Sequence, residues 1–214
     1  MRIALLLYGR LKYFRVQYEN ILNAIGKEHT VDIFLSSDNE TDTEINEFKQ
    51  LYKPISVNND TILHTYNFNN YPIDEPITVR IDSMIRHFIN LKRVFQLLET
   101  HVYLTNAMYE LVITMRIDLH LNVKIDLPKS DNNAIYIPYG HDHRSTRYDA
   151  INDRFAMGNI DVMRLYNNII DNCIYLLDNN LSYPHPEMLL YAHIVFNKLK
   201  VIRFASSNIC EIIR

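Results

Sequence analysis

Glycine is scarce in this chain. There are four in 214 residues, and none lies in a Gly-x-Gly-x-x-Gly run, which argues against a Rossmann dinucleotide site. Cysteine is scarcer. Two residues, Cys173 and Cys210, make no disulfide framework and read as reduced, buried thiols. Basic charge is not in excess either. With 22 Lys and Arg against 25 Asp and Glu, the formal net charge is −3, which argues against a general nucleic-acid binder. No segment approaches the roughly 18 apolar residues that a membrane span needs. The apolar run Ile3 to Tyr8 is too short for the core of a signal peptide, has no small-residue cleavage site and meets Gly9-Arg10 at once. What remains is ordinary globular composition, 48% hydrophobic and 22% charged, long enough for one domain with a real core. The expectation is a soluble, cytoplasmic protein.

Hydrophobic patterning gives the element order. Ile3 to Tyr8 reads as a strand buried on both faces, as in a parallel sheet, stopped by Gly9. Residues 11–25 have helical spacing, with Gly26 as the stop. Val31 to Ser36 is a second strand, residues 41–51 a short acidic helix capped by Thr41 or Thr43, and residues 52–57 a third strand weakened by Pro54. The connection from Asn58 to Pro76 is long for a compact domain, which favours a functional segment. Strong helical periodicity follows over residues 81–98, then strands at 110–115, 135–138 and 155–157. Two helices near 160–178 and 186–198 follow, with short closing strands. The β-α-β-α-β order predicts an α/β fold, a single-domain three-layer sandwich around a mostly parallel central sheet.

The stretch Tyr109-Glu-Leu-Val-Ile-Thr-Met-Arg-Ile-Asp-Leu-His120 carries most of the chemical information. A buried strand runs into Arg116, Asp118 and His120. On an extended chain positions i and i+2 face the same side, so Asp118 and His120 can converge on Mn²⁺ or Mg²⁺ at the carboxyl edge of the sheet. Equally, they can be a surface acid and a loop histidine. Arg116 either touches a ligand or pairs with a carboxylate of the fold. Gly9-Arg10 lets backbone approach a ligand, or merely permits a tight turn. Arg80 and Arg86 suit phosphate, or form a solvated helix face. His141, His143, Arg144 and Arg147 make a cationic loop. Asp153 is a general base or a turn cap. Pro186 and Glu187 fit the first turn of a helix, Glu187 can also contact a sugar or act as a base, and His185 is a third metal ligand or a structural histidine.

In their order and spacing, Tyr8-Gly9-Arg10, Val31-Asp32-Ile33-Phe34, the segment Val112 to Asp118, Asn152-Asp-Arg-Phe-Ala-Met-Gly158 and His185-Pro-Glu-Met-Leu-Leu190 resemble a small GT-A-fold glycosyltransferase. The resemblance is to the soluble kind found in bacteria and large DNA viruses, including viral enzymes that glycosylate capsid proteins. It implies a GT-A-like domain over residues 1–214, with a nucleotide-binding half over about 1–115 and a metal and acceptor half over about 116–214. It implies a nucleotide-diphosphate sugar donor, UDP-linked, and a glycan or glycoprotein acceptor. Donor contacts then fall on Leu7, Tyr8, Gly9, Arg10, Ser36, Ser37, Arg80, Arg86, Arg116 and Asp118, and metal contacts on Asp118, His120 and His185. Asp153, then Glu187, become candidates for the catalytic base. The family's Asp-x-Asp element reads Arg116-Ile117-Asp118 here. Either Asp118 binds the metal with a histidine, or Arg116 supplies part of its charge. Tyr8 can stack on a base or belong to the core. Two other functions fit the same residues: an inactive nucleotide- or glycan-binding module, and a metal-dependent phosphoryl or nucleotidyl transferase built on Asp118, His120, His141, His143 and His185.

Overall fold

Alternate residues of the first strand, β1 (Arg2–Tyr8), enter two separate cores. Ile3, Leu5 and Leu7 pack with residues of α1 (Phe14–Ile25) and α2 (Asp42–Tyr52) on one face. Ala4, Leu6 and Tyr8 pack with residues of α3 (Ile81–Thr105) on the other. Burial on both faces is why the strand is a continuous apolar run rather than an alternating one. The structure, a computed structural model, describes residues 1–66, 71, 81–128, 133–140, 142, 147–204 and 210–212.

The remaining strands are β2 (Thr30–Ser36), β3 (Ser56–Asn58), β4 (Leu111–Arg116), β5 (Leu119–Leu121), β6 (Ala134–Pro138), β7 (Phe155–Gly158), β8 (Lys200–Phe204) and β9 (Cys210–Ile212). Among the described residues the main sheet has the order β3-β2-β1-β4-β7-β6-β8. Every neighbouring pair is parallel except the two that involve β7. β5 leaves this sheet and pairs with β9. Helices α4 (Ile160–Asn167), α5 (Cys173–Asp178) and α6 (Pro186–Phe196) join α3 on its face. The three-layer sandwich around a mostly parallel sheet expected from the sequence is therefore present.

Local differences have local causes. α1 starts at Phe14, not residue 11, because Tyr13 takes a left-handed conformation (φ 60°) just before it. The start of β3 moves from residue 52 to Ser56. Tyr52 stays helical, its ring stacked on Phe48 at 4.3 Å and its hydroxyl donating to the Phe14 carbonyl, and Pro54 follows without an N–H. α3 outlasts its apolar stripe by running on to Thr105. The helix expected at 160–178 is broken by a 3₁₀ turn at Ile169–Asp171 between α4 and α5. Gly26 ends α1 as expected, at φ 105° with its N–H on the Leu22 carbonyl. No helix among the described residues is long and apolar enough to cross a membrane.

Thr41 caps α2 in a complete capping box. Its side chain accepts from the Glu44 N–H, and the Glu44 carboxylate accepts from the Thr41 N–H. Thr41→Ala is expected to lower stability by about 1 kcal/mol and the melting temperature by about 2–4 °C, measured by denaturant and thermal unfolding. An unchanged transition midpoint would show that the box contributes nothing in this fold.

Candidate active site

β1, β2 and β4 end level. Tyr8 sits opposite Ser36 on one side and Arg116 on the other. From β1 the chain goes outward to β2 and β3, then returns through α3 to β4 on the opposite flank. The β1–β4 boundary is therefore the switch point of the parallel sheet, and its carboxyl edge is the ligand crevice of such folds.

The groups around this edge are held closely. Gly9 turns the chain at φ 101°, donates its N–H to the Ser36 carbonyl at 3.1 Å, and faces open space where a Cβ would be. Its positive φ is the backbone reason for glycine here. Arg116 grips Asp118 with two parallel bonds, Nε to Oδ1 at 2.9 Å and a terminal nitrogen to Oδ2 at 2.7 Å. Burial acts to lower the Arg116 pKa, but the Asp118 bonds and charge, with Tyr8 and Asp153, raise it on balance. Arg116 is thus a fixed cation at the edge, with the rest of its five N–H donors available for other acceptors.

Asp153 stands beside the same edge, in the segment before β7. Its backbone is pinned from several directions. The Tyr8 hydroxyl donates to the Asp153 carbonyl at 2.9 Å, and the Arg116 N–H donates to the Arg154 carbonyl at 3.1 Å. Fully buried Asn152 accepts from the Arg154 N–H, donates through Nδ2 to the Gly140 carbonyl, and gives its own N–H to Asp142. Arg203 holds Asp142 in turn. The Asp153 carboxylate faces His87 of α3, with Nε2 and Oδ2 3.6 Å apart. The His87 ring meets the Tyr8 ring edge-on at 5.0 Å.

Leu7 is wholly buried in the core, which leaves only its backbone near the crevice. Tyr8 resolves to core and strut, since it is buried and its hydroxyl is engaged. Burial also pushes its phenol well up. Arg10 is exposed. Ser36 Oγ donates to Asn90 at 2.7 Å and ties β2 to α3, while Ser37 Oγ donates to Asn59. Arg86 is bonded to both Asp82 and Asp38. Glu187 is buried in the first turn of α6, and its carbonyl accepts from the Ile151 N–H. That bond ties α6 to the approach to Asp153. Arg147 lies over the Tyr148 ring at 5.2 Å. Arg80, His141, His143 and Arg144 lie outside the described residues.

The expected metal ligands part company. Ile117 and Asp118 form a turn rather than extended chain, so the alternation that would align Asp118 with His120 is lost. The His120 ring lies beside Gln17 and Asn20 of α1, and His185 stands at the N-cap position of α6 without a side-chain capping bond. Both oxygens of Asp118 are taken by Arg116. Among the described residues no three His, Cys, Asp or Glu side chains converge as a metal site. As arranged here, Asp118, His120 and His185 do not converge on one divalent ion. A separate groove of about 480 Å³ lies beside α3, lined by His64, Tyr66, Lys92 and Arg93 among others, and shares none of the crevice residues named above.

His87 and the Asp142–Arg203 pair are not singled out by the sequence, and Asn152 enters only as the first residue of the block 152–158. His87 was the most visible of them, being a polar residue three beyond Met84 and four before Leu91 on an apolar helical stripe. The Asn152 network joins residues 140, 142 and 203, and no local spacing encodes that.

No protein-family model matches the chain, and no curated protein matches it. Among solved structures it is similar to the "crystal structure of a glycosyltransferase involved in the glycosylation of the major capsid of PBCV-1". The two share 14% identity over 95% of this chain and 81% of that one, with a TM-score of 0.46.

Burial drives the His87 imidazole down from its ordinary 6.5 to about 4, against the opposing pull of Asp153. Between those values the unfolded chain holds a proton that the native state lacks. Stability therefore falls as pH drops from 6.5 towards 4. Replacing His87 with Phe is expected to flatten that part of the stability–pH curve, measured by urea unfolding at stepped pH. Parallel wild-type and variant curves would contradict a buried neutral imidazole.

Proposed function

We propose that this chain is a glycosyltransferase, moving a sugar from a nucleotide-diphosphate donor, a UDP-sugar first, to a hydroxyl of a glycan or glycoprotein. One observation carries the reading. A fixed guanidinium, Arg116, and a buried carboxylate, Asp153, share the switch-point crevice beside the open turn at Gly9. A group transfer with a diphosphate leaving group needs a cation where phosphate charge grows and a base where a hydroxyl loses its proton.

In this reading the donor diphosphate lies over Gly9-Arg10, within reach of Arg116. Asp118 acts on the guanidinium rather than on the ligand. Its two bonds set the plane of Arg116 and leave the outer N–H groups for phosphate oxygen. The acceptor oxygen attacks the anomeric carbon, and the bond from that carbon to the phosphate oxygen breaks. Nucleoside diphosphate departs with the electron pair, and the acceptor proton passes to Asp153. Assigning Asp153 as base commits the reading to inversion. Glu187 supports the acceptor side through α6, since its carbonyl anchors the segment that delivers Asp153.

A panel of UDP- and GDP-sugars, screened first for thermal stabilisation and then for nucleotide release with mass-spectrometric identification, tests this. Nucleoside diphosphate is the expected product. Asp153→Asn is expected to lose roughly 10²–10⁴-fold in turnover and Arg116→Ala roughly 10²–10³-fold. Arg116→Lys should recover little, because an ammonium cannot hold Asp118 and phosphate as a planar fork does. Release of monophosphate would favour the nucleotidyl or phosphoryl transferase. Binding without turnover on every donor would favour the inactive module.

A further inference from the structure

The contact between α3 and the segment before β7 holds a pair that the proposed transfer has not yet used. His87 Nε2 is buried and has no hydrogen-bond partner among the described residues. It looks across 3.6 Å at Asp153 Oδ2, and both side chains are about nine-tenths buried. That separation is too long for a hydrogen bond and too short for anything to sit between. Unsatisfied buried donors are rare in native proteins and call for an explanation.

The surroundings supply one. The Asp153 backbone is clamped by Tyr8, Asn152 and the neighbouring Arg154–Arg116 ladder bond, so the freedom left to the residue is rotation of its carboxylate. The imidazole is held edge-on by Tyr8 at 5.0 Å and Phe88 at 5.3 Å. The charged groups that act on it are Asp153 and Arg154 from the segment before β7, with Arg116 from the end of β4 and Asp118 from the turn after it. Burial keeps the ring neutral near pH 7, so it is a donor rather than a rival cation to Arg116. A small turn of the carboxylate closes the gap and gives the buried Nε2 its partner.

We propose that His87 donates its Nε2–H to the Asp153 carboxylate and fixes the orientation of the base, making it a positioning residue for the transfer. The proposal rests on the reading of Asp153 as that base. It places the ring proton on Nε2 and leaves the other carboxylate oxygen to face the acceptor hydroxyl. The arrangement is a donor–carboxylate couple in which the histidine orients and the acid takes the proton.

Ring ¹⁵N NMR of the wild-type chain reads the tautomer without any substrate. The expected result at pH 7 is a neutral His87 protonated on Nε2, with a hydrogen-bonded proton signal that Asp153→Asn alters. Because the carboxylate favours the charged imidazole, Asp153→Asn should also lower the pH at which His87 titrates. Protonation on Nδ1 alone, or no response to Asp153→Asn, overturns the proposal. Turnover of the donor found for the wild type separates positioning from mere packing. His87→Phe keeps the ring contact with Tyr8 and is expected to lose tenfold or more in kcat at unchanged donor KM, and His87→Gln, which restores a donor, should recover most of it. Wild-type kcat in His87→Phe overturns the role, as does a loss that Gln does not rescue. If Asp153→Asn itself turns over normally, the base reading fails while the hydrogen bond between the two side chains can still stand.

Discussion

The level ending of β1 and β4 is the constraint on which the rest of this molecule depends. Both strands are buried on both faces, so their register is fixed by packing from two sides at once. A slip of one residue would turn each apolar set toward the wrong layer. The register places Tyr8 opposite Arg116, and everything at the crevice is referenced to those two residues. Tyr8 reaches up to hold the Asp153 carbonyl, and the Arg116 N–H holds the next carbonyl along. A core strand thereby sets the position of the candidate base with no loop in between, which suits a site that needs sub-ångström placement.

The charges follow from the same edge. Arg116 and Asp118 are mostly withdrawn from water, at 32% and 17% side-chain exposure. Neither can be left unpaired there at low cost, since a charge that loses its partner in such a place is strongly destabilising. Pairing with Asp118 lets a guanidinium stay at the sheet edge. It also turns the aspartate away from the role that the resemblance to GT-A enzymes implied for it. Arginine at position 116 thus sets a cation with its own counter-ion at this edge, where the GT-A pattern that the sequence resembles has the first acid of an Asp-x-Asp element.

Much of the fold was legible because it rests on periodicity. The strand at Ile3 to Tyr8, the helix stop at Gly26, the cap at Thr41 and the apolar stripe of α3 are each written in a few adjacent residues. The candidate site was legible only where it coincided with strand ends, at Gly9, Arg116 and Asp118. Asp153 could be named from its place before an apolar strand, but not as a residue clamped by Tyr8, 145 positions away in the chain. The alignment of Asp118 with His120 is lost for a physical reason. The i, i+2 rule needs extended backbone, and two residues of turn were enough to send the histidine to α1. His87 stayed hidden because helical spacing shows which face a residue occupies and not what stands across from it.

Backbone amide NMR during titration with UDP, and separately with GDP, tests the central claim most directly, because it locates the diphosphate without requiring turnover. The largest shifts are expected at Gly9, Arg10, Arg116 and Arg154, with the Arg116→Ala variant losing them. Shifts confined instead to the groove around His64, Tyr66 and Arg93, or no saturable shifts with either nucleotide, would contradict a nucleotide crevice at the ends of β1 and β4.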